Sequence, residues 1–237
     1  MVVIARMTSG RLPGKSLLSI GRQTLIEAVV ERVAQSREIG TVAVATSIEA
    51  SDDAIEDWCD ERDLLCVRGS LEDVACRFLH AGSRLGASHV VRISGDSPFI
   101  DPILIDHAVR LSRSHDVDLV TNVFPRTFPK GQSVEVLGTQ ALRKAAAEGL
   151  SNVQREHVTR VFYDNYEDYR VLNFSTTDLD AREEAVHDYS SVQLSIDTED
   201  DLMTARQVSE RLGPRLNRCG WRDVVAVWQE VVAGRAP

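Results

Sequence analysis

The chain has 237 residues, of which 27 are Lys or Arg and 36 are Asp or Glu, giving a formal net charge of −9. Proteins that bind nucleic acid carry a basic surface, so this acidic balance argues against DNA or RNA as the partner. The opening apolar run, residues 2–5, is too short for a signal sequence or a membrane span, and the four cysteines form no CxxC pair. We therefore expect a cytoplasmic globular protein without a structural zinc site or a disulfide framework.

The charges are unevenly distributed along the chain. No Asp or Glu precedes Glu27, whereas the same stretch contains Arg6, Arg11, Lys15 and Arg22. An acidic protein with a purely basic first segment has either a solvated basic face or an anion-binding site there. The residues around these cations decide between the two interpretations.

Short β-rich runs alternate with amphipathic stretches through the first half of the chain. Strands are predicted at 2–5, 41–46, 64–67, 89–93 and 117–120, and helices at 24–36, 51–62, 71–85 and 102–114. Ser51 and Asp101 are the predicted N-caps of the second and fourth helices, and Pro102 suits a first helical turn. Strands separated by such helices indicate βαβ units, and hence a mostly parallel sheet with helices on both faces.

The pattern changes after Asn122. Residues 124–131 (FPRTFPKG) are typical of a loop because they contain two prolines and a glycine. Further strands are predicted at 134–137, 169–174 and 192–196, and helices at 140–148, 154–163, 200–212 and 222–232. We interpret the chain as one α/β domain spanning 1–237, with a small β-rich arm at about 124–174.

The first predicted strand leads into the loop Ala5–Lys15, of sequence ARMTSGRLPGK. In such a loop, backbone amides can form an anion nest, hydroxyls add donors and the cations neutralise phosphate charge. The loop is not a Walker A motif, because Ser9 stands where that motif needs glycine, and it is not GxGxxG. Ligands of open α/β sheets bind beyond the carboxyl ends of the strands, where this loop begins. The residues indicate an anion-binding loop, with a solvated basic loop as the alternative.

Two aspartates follow predicted strands and are candidates for a metal site. Asp96 stands in SGDSP directly after the fourth strand, and Asp197 stands in SIDTEDDL before a helix. Mg²⁺ is bound in proteins by one or two carboxylates together with substrate phosphates. For each residue the alternative is a structural one, since an aspartate at either place also suits a helix cap or loop.

The loop ARMTSGRLPGK resembles the signature of the cytidylyltransferases that make CMP-activated acidic sugars, with greatest similarity to the spore-coat polysaccharide biosynthesis protein F branch. The resemblance continues to about residue 212, through VRGS at 67–70, RISGDSP at 92–98, residues 118–122 and 125–136, REHVT at 155–159 and SIDT at 195–198. It implies a Rossmann-like fold of the nucleotide-diphospho-sugar transferase type. It also implies CTP as the nucleotide and Mg²⁺ as the cofactor.

The same resemblance implies roles for individual residues. Nucleotide binding is expected of Ala5, Arg6, Ser9, Arg11, Gly14, Lys15, Arg68 and Asp73, with Arg68 at the cytosine. Catalysis is expected of Arg6, Lys15 and Asp96, and metal binding of Asp96 and Asp197. Acceptor binding is expected of Asn122, Arg126, Glu135, Glu156 and His157.

Some of these roles have structural alternatives. Asp73 and Arg77 lie one helical turn apart and could pair with each other. For Glu156 and His157 the alternative is a polar helix face. Ser133 departs from the branch pattern, which has an aspartate at that position, and this bears on the sugar side of the site.

The resemblance implies transfer of CMP from CTP to an acidic sugar of the 2-keto-3-deoxy type, with release of pyrophosphate, for synthesis of a surface polysaccharide or glycan. It further implies a homodimer formed through the arm. The alternatives are a sugar-phosphate or phosphonate nucleotidyltransferase, a glycosyltransferase that uses a nucleotide sugar, and a non-catalytic nucleotide-binding protein. The basic loop distinguishes the second of these, because a glycosyltransferase has no triphosphate to bind.

Overall fold

The computed structural model describes residues 1–179 and 187–235. The strands are β1 (Val2–Ile4), β2 (Ser19–Ile20), β3 (Gln23–Thr24), β4 (Ala43–Ser47), β5 (Leu65–Gly69), β6 (His89–Ser94), β7 (Leu119–Thr121), β8 (Glu135–Gly138) and β9 (Val171–Asn173). The helices are α1 (Leu25–Val33), α2 (Asp53–Asp60), α3 (Val74–Arg84), α4 (Pro102–Ser114), α5 (Thr139–Glu148), α6 (Asn152–Glu156), α7 (Arg160–Asp164), α8 (Glu199–Leu212) and α9 (Trp221–Ala233).

Seven of these strands form one sheet in the order β5–β4–β1–β6–β8–β7–β9. The first four are mutually parallel, β8 runs antiparallel to both β6 and β7, and β9 is parallel to β7. Strands β2 and β3 form a separate short hairpin. The predicted fold class, a mostly parallel sheet with helices on both faces, is confirmed.

The sheet is covered on both faces, which explains the continuous apolar runs in its strands. Val3 belongs to the core cluster that includes α1, α4, α8 and α9, whereas Val2 belongs to the cluster that includes α3 and α5. Successive side chains of a strand point to opposite faces, so a strand buried on both sides is apolar at most positions. A pocket lined in part by Ile4 and Val74 opens at the carboxyl edge of the second face.

Local capping signals fix several helix starts. Thr24 caps α1 and Thr198 caps α8, each in a reciprocal capping box with the residue three positions on. Asp101 caps α4 by accepting from the Ile103 amide, as predicted. No helix of the described ranges is both long enough and apolar enough to cross a membrane.

Three details differ from the sequence predictions in the second half of the chain. Residues 192–196 are not a strand, because they form only an isolated bridge, Lys130 to Gln193. The helix predicted at 154–163 is two short helices, α6 and α7, separated at His157. The segment interpreted as a β-rich arm contributes β8 and β9 to the main sheet and contains α5, α6 and α7 between them.

The second helix also begins differently from the prediction. Ser51 is not its N-cap, because residues 50–52 form a short 3-10 turn that leads into α2. The Asp52 side chain points back instead, accepting from the Met7 amide at 2.6 Å and from the Ser47 hydroxyl at 2.5 Å. Asp52 therefore connects the end of β4 to the start of the loop after β1.

Candidate active site

A pocket of about 410 Å³ lies at the carboxyl edge of the parallel strands, where the loop after β1 meets the end of β6. Its lining includes nine of the residues predicted from sequence, namely Ala5, Arg6, Ser9, Arg11, Lys15, Asp96, Glu156, His157 and Asp197. Ligands of open α/β sheets bind at this edge because the strand ends and helix starts leave backbone groups and loops free there. The basic loop therefore belongs to a concave site, which favours the anion-binding interpretation.

Two glycines allow the backbone to close around this pocket. Gly14 adopts a φ of +74°, a left-handed conformation that glycine takes without strain, and its amide donates to the Met7 carbonyl at 2.8 Å. A Cβ placed on Gly95 would lie 2.8 Å from the Ile4 carbonyl oxygen and 3.0 Å from the Ala5 Cβ. Gly95 thus lets the end of β6 approach the end of β1, which brings Asp96 to the loop.

The Asp52 carboxylate fixes the first residues of the loop. Burial raises its pKa, but hydrogen bonds from the Ser47 hydroxyl and from the Met7 and Ser47 amides outweigh burial, so the pKa lies below its usual range. The Ser16 hydroxyl closes the other end of the loop by donating to the Arg6 carbonyl at 3.0 Å. Hydrogen bonds therefore hold the backbone that carries the loop cations at both ends.

Lys15 is the centre of the charge arrangement. Its Nζ lies 3.3 Å from Asp96 Oδ2 and 3.1 Å from Asp197 Oδ1, and it donates to the Ile196 carbonyl at 2.7 Å. Arg11 Nη2 also lies 3.1 Å from Asp197 Oδ1. The two predicted metal-binding aspartates, far apart in sequence, therefore face a single cation.

The three oxygens around Lys15 Nζ, two from carboxylates and one from the Ile196 carbonyl, are of the type that ligates a divalent cation. Mg²⁺ prefers oxygen ligands and uses one or two carboxylates, completing its shell with substrate phosphates and water. No group of three or more His, Cys, Asp or Glu suited to a metal occurs in residues 1–179 and 187–235. Asp96 and Asp197 are carboxylates of the type that Mg²⁺ takes, and the metal-binding role expected of them stays a prediction.

The second wall of the pocket comes from α6 and the residue after it. Arg6 Nη2 lies 3.8 Å from Glu156 Oε1, across a pair whose side chains are about half exposed, and His157 lies beside them. Asp73 caps α3 and pairs with Arg155 at 2.6 Å. The expected alternative for Asp73, an ion pair with Arg77, is not formed. Asp73 instead links α3 to α6 behind the pocket wall.

Sequence reasoning missed two arginines in the pocket lining, Arg77 and Arg92. Each has a buried Nε without a hydrogen-bond partner in the described part of the chain. Arg92 Nη1 contacts Glu135 Oε2 at 2.5 Å, across the β6–β8 register. Arg77 is buried, which is uncommon for arginine, whereas the Arg92 side chain is 23% exposed. Each stands among apolar residues of a core-facing helix or strand, and sequence periodicity does not distinguish such a position from a structural one.

The predicted acceptor residues divide into two groups. Glu156 and His157 line the pocket, whereas Asn122, Arg126 and Glu135 are outside its lining, and Glu135 contacts the lining residue Arg92. Asn122 is buried and ties the 124–134 loop together, donating to the Gln132 carbonyl at 2.7 Å and accepting from the Val134 amide at 2.9 Å. Arg126 donates to Ser133 Oγ at 3.0 Å, so Ser133 partners that guanidinium without neutralising it.

Glu135 is buried, and both of its carboxylate oxygens are occupied. Besides Arg92, it accepts from the Tyr163 hydroxyl at 2.6 Å, and that hydroxyl also contacts Thr121 Oγ1 at 2.8 Å. Burial raises the pKa of Tyr163, and the adjacent Glu135 charge raises it further, so the phenol stays protonated. In this arrangement Glu135 orients Arg92 toward the pocket.

Arg68 lies away from the pocket lining. Its guanidinium donates to the Ser47 and Glu49 carbonyls at 2.8 and 2.9 Å and pairs with Asp53 and Glu56 of α2 at 2.7 and 2.5 Å. The cytosine contact expected of Arg68 stays a prediction, and in this structure the residue joins α2 to the end of β4.

A larger hollow, of about 670 Å³, lies at the opposite edge of the sheet. None of the residues predicted for the site lines it. Its arginines have local partners, because Arg170 pairs with Asp116 and Asp118 and Arg143 donates to Ser83 Oγ at 2.7 Å. The predicted site residues therefore favour the smaller pocket as the candidate site.

Several known proteins resemble this chain in sequence. The sequence profile of a cytidylyltransferase family matches residues 1–218. The spore coat polysaccharide biosynthesis protein SpsF of Bacillus subtilis is 30% identical over 223 residues, which cover 90% of this chain and 87% of that protein. The 3-deoxy-manno-octulosonate cytidylyltransferase of Geobacter sulfurreducens is 32% identical over 108 residues, 46% of this chain and 42% of that one.

A solved structure of a cytidylyltransferase from Leptospira borgpetersenii superposes with a TM-score of 0.88 at 28% identity, covering 98% of this chain and 94% of that one. This agreement extends over almost the whole fold, including the strand edge that carries the pocket. The profile match, the SpsF relative and the structural likeness agree with the resemblance seen in the basic loop. The chain belongs to the cytidylyltransferase family.

Proposed function

We propose that this protein transfers the CMP group of CTP to the anomeric hydroxyl of an acidic sugar of the 2-keto-3-deoxy type and releases pyrophosphate. The observation that carries the proposal is the convergence of Arg11 and Lys15 on Asp96 and Asp197 at one strand edge. A triphosphate needs cations along its oxygens and carboxylates that hold a counter-ion, and this pocket offers both.

The proposed reaction is an in-line displacement at the α-phosphorus. The acceptor hydroxyl loses its proton, a bond forms between its oxygen and the α-phosphorus, and the bond from that phosphorus to the pyrophosphate oxygen breaks. Positioning and charge neutralisation supply most of the catalysis in such transfers. Arg6, Arg11 and Lys15 would neutralise the charge that develops on the α-phosphate and the departing pyrophosphate.

We further propose that Asp96 and Asp197 hold Mg²⁺. When bound, Mg²⁺ supplies positive charge to the phosphate oxygens and fixes their orientation. The support from this chain is the set of three oxygens around Lys15 Nζ, two from carboxylates and one from the Ile196 carbonyl. Ser97 supports Asp96 by donating to its Oδ1 at 3.1 Å.

An anionic acceptor is supported by the charges on the β8 side of the pocket. Arg92 and Arg126 lie there with one carboxylate, Glu135, whose oxygens are already occupied. The G. sulfurreducens relative named above acts on an acidic sugar. A sugar phosphate or phosphonate would satisfy the same cations and is the second acceptor class to be tested.

A homodimer is proposed through the segment at 124–174. Its support is a patch of exposed aromatic side chains on that segment, where Phe124 and Tyr166 are 44% and 48% exposed and lie 5.7 Å apart between ring centroids. Apolar side chains exposed together are typical of interaction surfaces. Light scattering after gel filtration measures the mass directly, and a monomer would contradict the proposal.

The function is tested by a pyrophosphate-release screen of the four nucleoside triphosphates against acid sugars and sugar phosphates, with and without Mg²⁺. We expect release with CTP, Mg²⁺ and an acid sugar. Release only with a sugar phosphate would favour the second acceptor class. Consumption of a nucleotide sugar without pyrophosphate would indicate a glycosyltransferase, and CTP binding without turnover would indicate a nucleotide-binding protein.

A further inference from the structure

The segment that carries Asp197 into the pocket, residues 192–197, has an irregular backbone. It forms an isolated bridge with Lys130 in place of a strand ladder. The Asp197 carboxylate and the Ile196 carbonyl nevertheless converge on one atom, Lys15 Nζ, at 3.1 and 2.7 Å. Backbone polar groups outside helices and sheets need partners from side chains or loops, so those partners determine where Asp197 lies.

The loop between β7 and β8 supports the first half of this segment. The Lys130 carbonyl accepts from the amides of Leu194 and Ser195, at 2.8 and 3.1 Å. In the reverse direction, the Lys130 amide donates to the Val192 carbonyl at 2.9 Å. These three hydrogen bonds fix the backbone as far as the Ser195 amide, two residues before Asp197.

Both peptide units directly before Asp197 are held at their N–H groups. The Ile196 amide donates to the Asp96 carbonyl at 2.9 Å, which joins the backbones of the two aspartates that face Lys15. The Asp197 amide donates to Asp201 Oδ2 at 3.0 Å, next to the capping box of α8. The direction in which Asp197 points then depends on how the carbonyl ends of these peptide units are held.

The Gln193 side chain holds the carbonyl end of the first of these units. Its Nε2 donates to the Ser195 carbonyl and to Ser195 Oγ, both at 2.9 Å. That carbonyl belongs to the same planar peptide unit as the Ile196 amide, so Gln193 and the Asp96 carbonyl hold the unit from its two sides. The unit cannot turn without breaking one of these hydrogen bonds, and its orientation sets the direction of the residues that follow.

We propose that Gln193 is a positioning residue for the transfer reaction, because it holds Asp197 and the Ile196 carbonyl in their places at the pocket. The inference rests on the proposed function, since it takes Asp197 as part of the reacting site. Gln193 is half-buried and lies outside the pocket lining, so it acts through Ser195 and not by contact with a substrate. A shift of about 1 Å in a reacting group can cost about 100-fold in rate.

The kinetic test measures pyrophosphate release from CTP by the full chain, with the acid sugar that wild type uses in the screen of acceptors. Gln193→Met keeps the length of the side chain and removes its donor, so kcat should fall by about 10- to 100-fold. KM for CTP should change little, because the cations of the basic loop still bind the triphosphate. Gln193→Lys restores a donor and should recover most of the rate. Gln207→Met is the matched control, because Gln207 is an exposed glutamine outside the pocket lining.

A calorimetric titration with Mn²⁺ in the presence of CTP gives a readout without turnover. Gln193→Met should weaken Mn²⁺ binding by about 10-fold, and adding it to Asp197→Asn should have little further effect, because both changes act on one group. Gln193→Glu keeps the shape without the donor and replaces the methionine variant if that one does not fold. Unchanged kcat and Mn²⁺ affinity in the folded variant, additive losses in the double variant, or a lysine variant as slow as the methionine one overturn the inference. Wild type that neither binds CTP nor releases pyrophosphate would instead overturn the proposed function.

Discussion

Replacing Lys15 by methionine tests whether its ammonium occupies the position of a divalent cation. The wild-type Nζ is held by Asp96, Asp197 and the Ile196 carbonyl at 3.3, 3.1 and 2.7 Å. The side chains of Lys15, Asp96 and Asp197 are 14%, 22% and 29% exposed. Methionine keeps most of the stem but removes the charge. Asp197 then keeps the exposed Arg11 as a cationic partner, whereas the ion pair of Asp96 is lost.

The expected loss of unfolding free energy follows from how exposed the Lys15 ion pairs are. Breaking a fully buried ion pair costs about 3–5 kcal/mol and an exposed one about 0–1 kcal/mol, so this shielded cluster should lose about 2–3 kcal/mol. In a chain of this size that corresponds to a fall in Tm of roughly 4–12 °C without metal. A cation that must displace the ammonium gains the same free energy in the variant, so its affinity should rise by up to about 100-fold.

The assay is thermal unfolding in EDTA followed by titration with Mn²⁺, with binding measured separately by calorimetry. Mn²⁺ should restore the Tm of Lys15→Met at concentrations that barely affect wild type, while pyrophosphate release is lost. Arg22→Met is the control, because Arg22 is an exposed cation of the same basic segment. Unchanged or weaker Mn²⁺ binding in Lys15→Met would show that ammonium and metal do not compete for these oxygens.

Three further substitutions test other parts of the site and fold. Asp96→Asn should reduce CTP-dependent pyrophosphate release by at least about 100-fold while the Tm changes by a few degrees; a variant with full activity would remove Asp96 from the site. Asp52→Asn should lower the unfolding free energy above about pH 4, and the difference from wild type should shrink as the pH falls through the lowered folded-state pKa. A stability difference that grows as the pH falls would refute the lowered pKa of Asp52. Arg32→Met should cost about 3–5 kcal/mol in denaturant unfolding, because buried Arg32 donates to three carbonyls, at 2.6 Å for Ile100, 2.5 Å for Leu216 and 3.0 Å for Cys219; a loss below about 1 kcal/mol would contradict it.

The elements that the sequence predicts well are those with strong local signals. The helix predicted at 102–114 has the same bounds in the structure, because Asp101 caps it and Pro102 stands in its first turn. Residues 192–196 have the same β-rich composition as a true strand but form only one bridge, to Lys130. Strand formation depends on a partner strand being available. Here the neighbour is the loop around Gly131, which approaches so closely that a Cβ on Gly131 would lie 2.6 Å from the Ser195 amide nitrogen.

The acceptor side shows a second limit of sequence reasoning. Glu135 carries a carboxylate of the kind that binds sugar hydroxyls, yet the β6–β8 register places it opposite Arg92, where its side chain is buried. A cross-strand pair depends on which strands are neighbours in the sheet. The local sequence pattern does not predict that β8 lies antiparallel between β6 and β7. The acceptor-binding role expected of Glu135 stays a prediction, and in this structure its carboxylate pairs with Arg92.

The sequence by itself determined the βαβ architecture, the basic loop Ala5–Lys15 and Asp96 at a strand end, because these depend on periodicity and on residues adjacent in the chain. The tertiary structure decided what those residues contact. It joined Lys15 to Asp197 across 182 positions, directed Arg68 to α2 and left the Nε of Arg77 without a hydrogen-bond partner among the described residues. Charge pairing acts through space over a few ångströms, so partners distant in sequence are fixed only when the chain has folded.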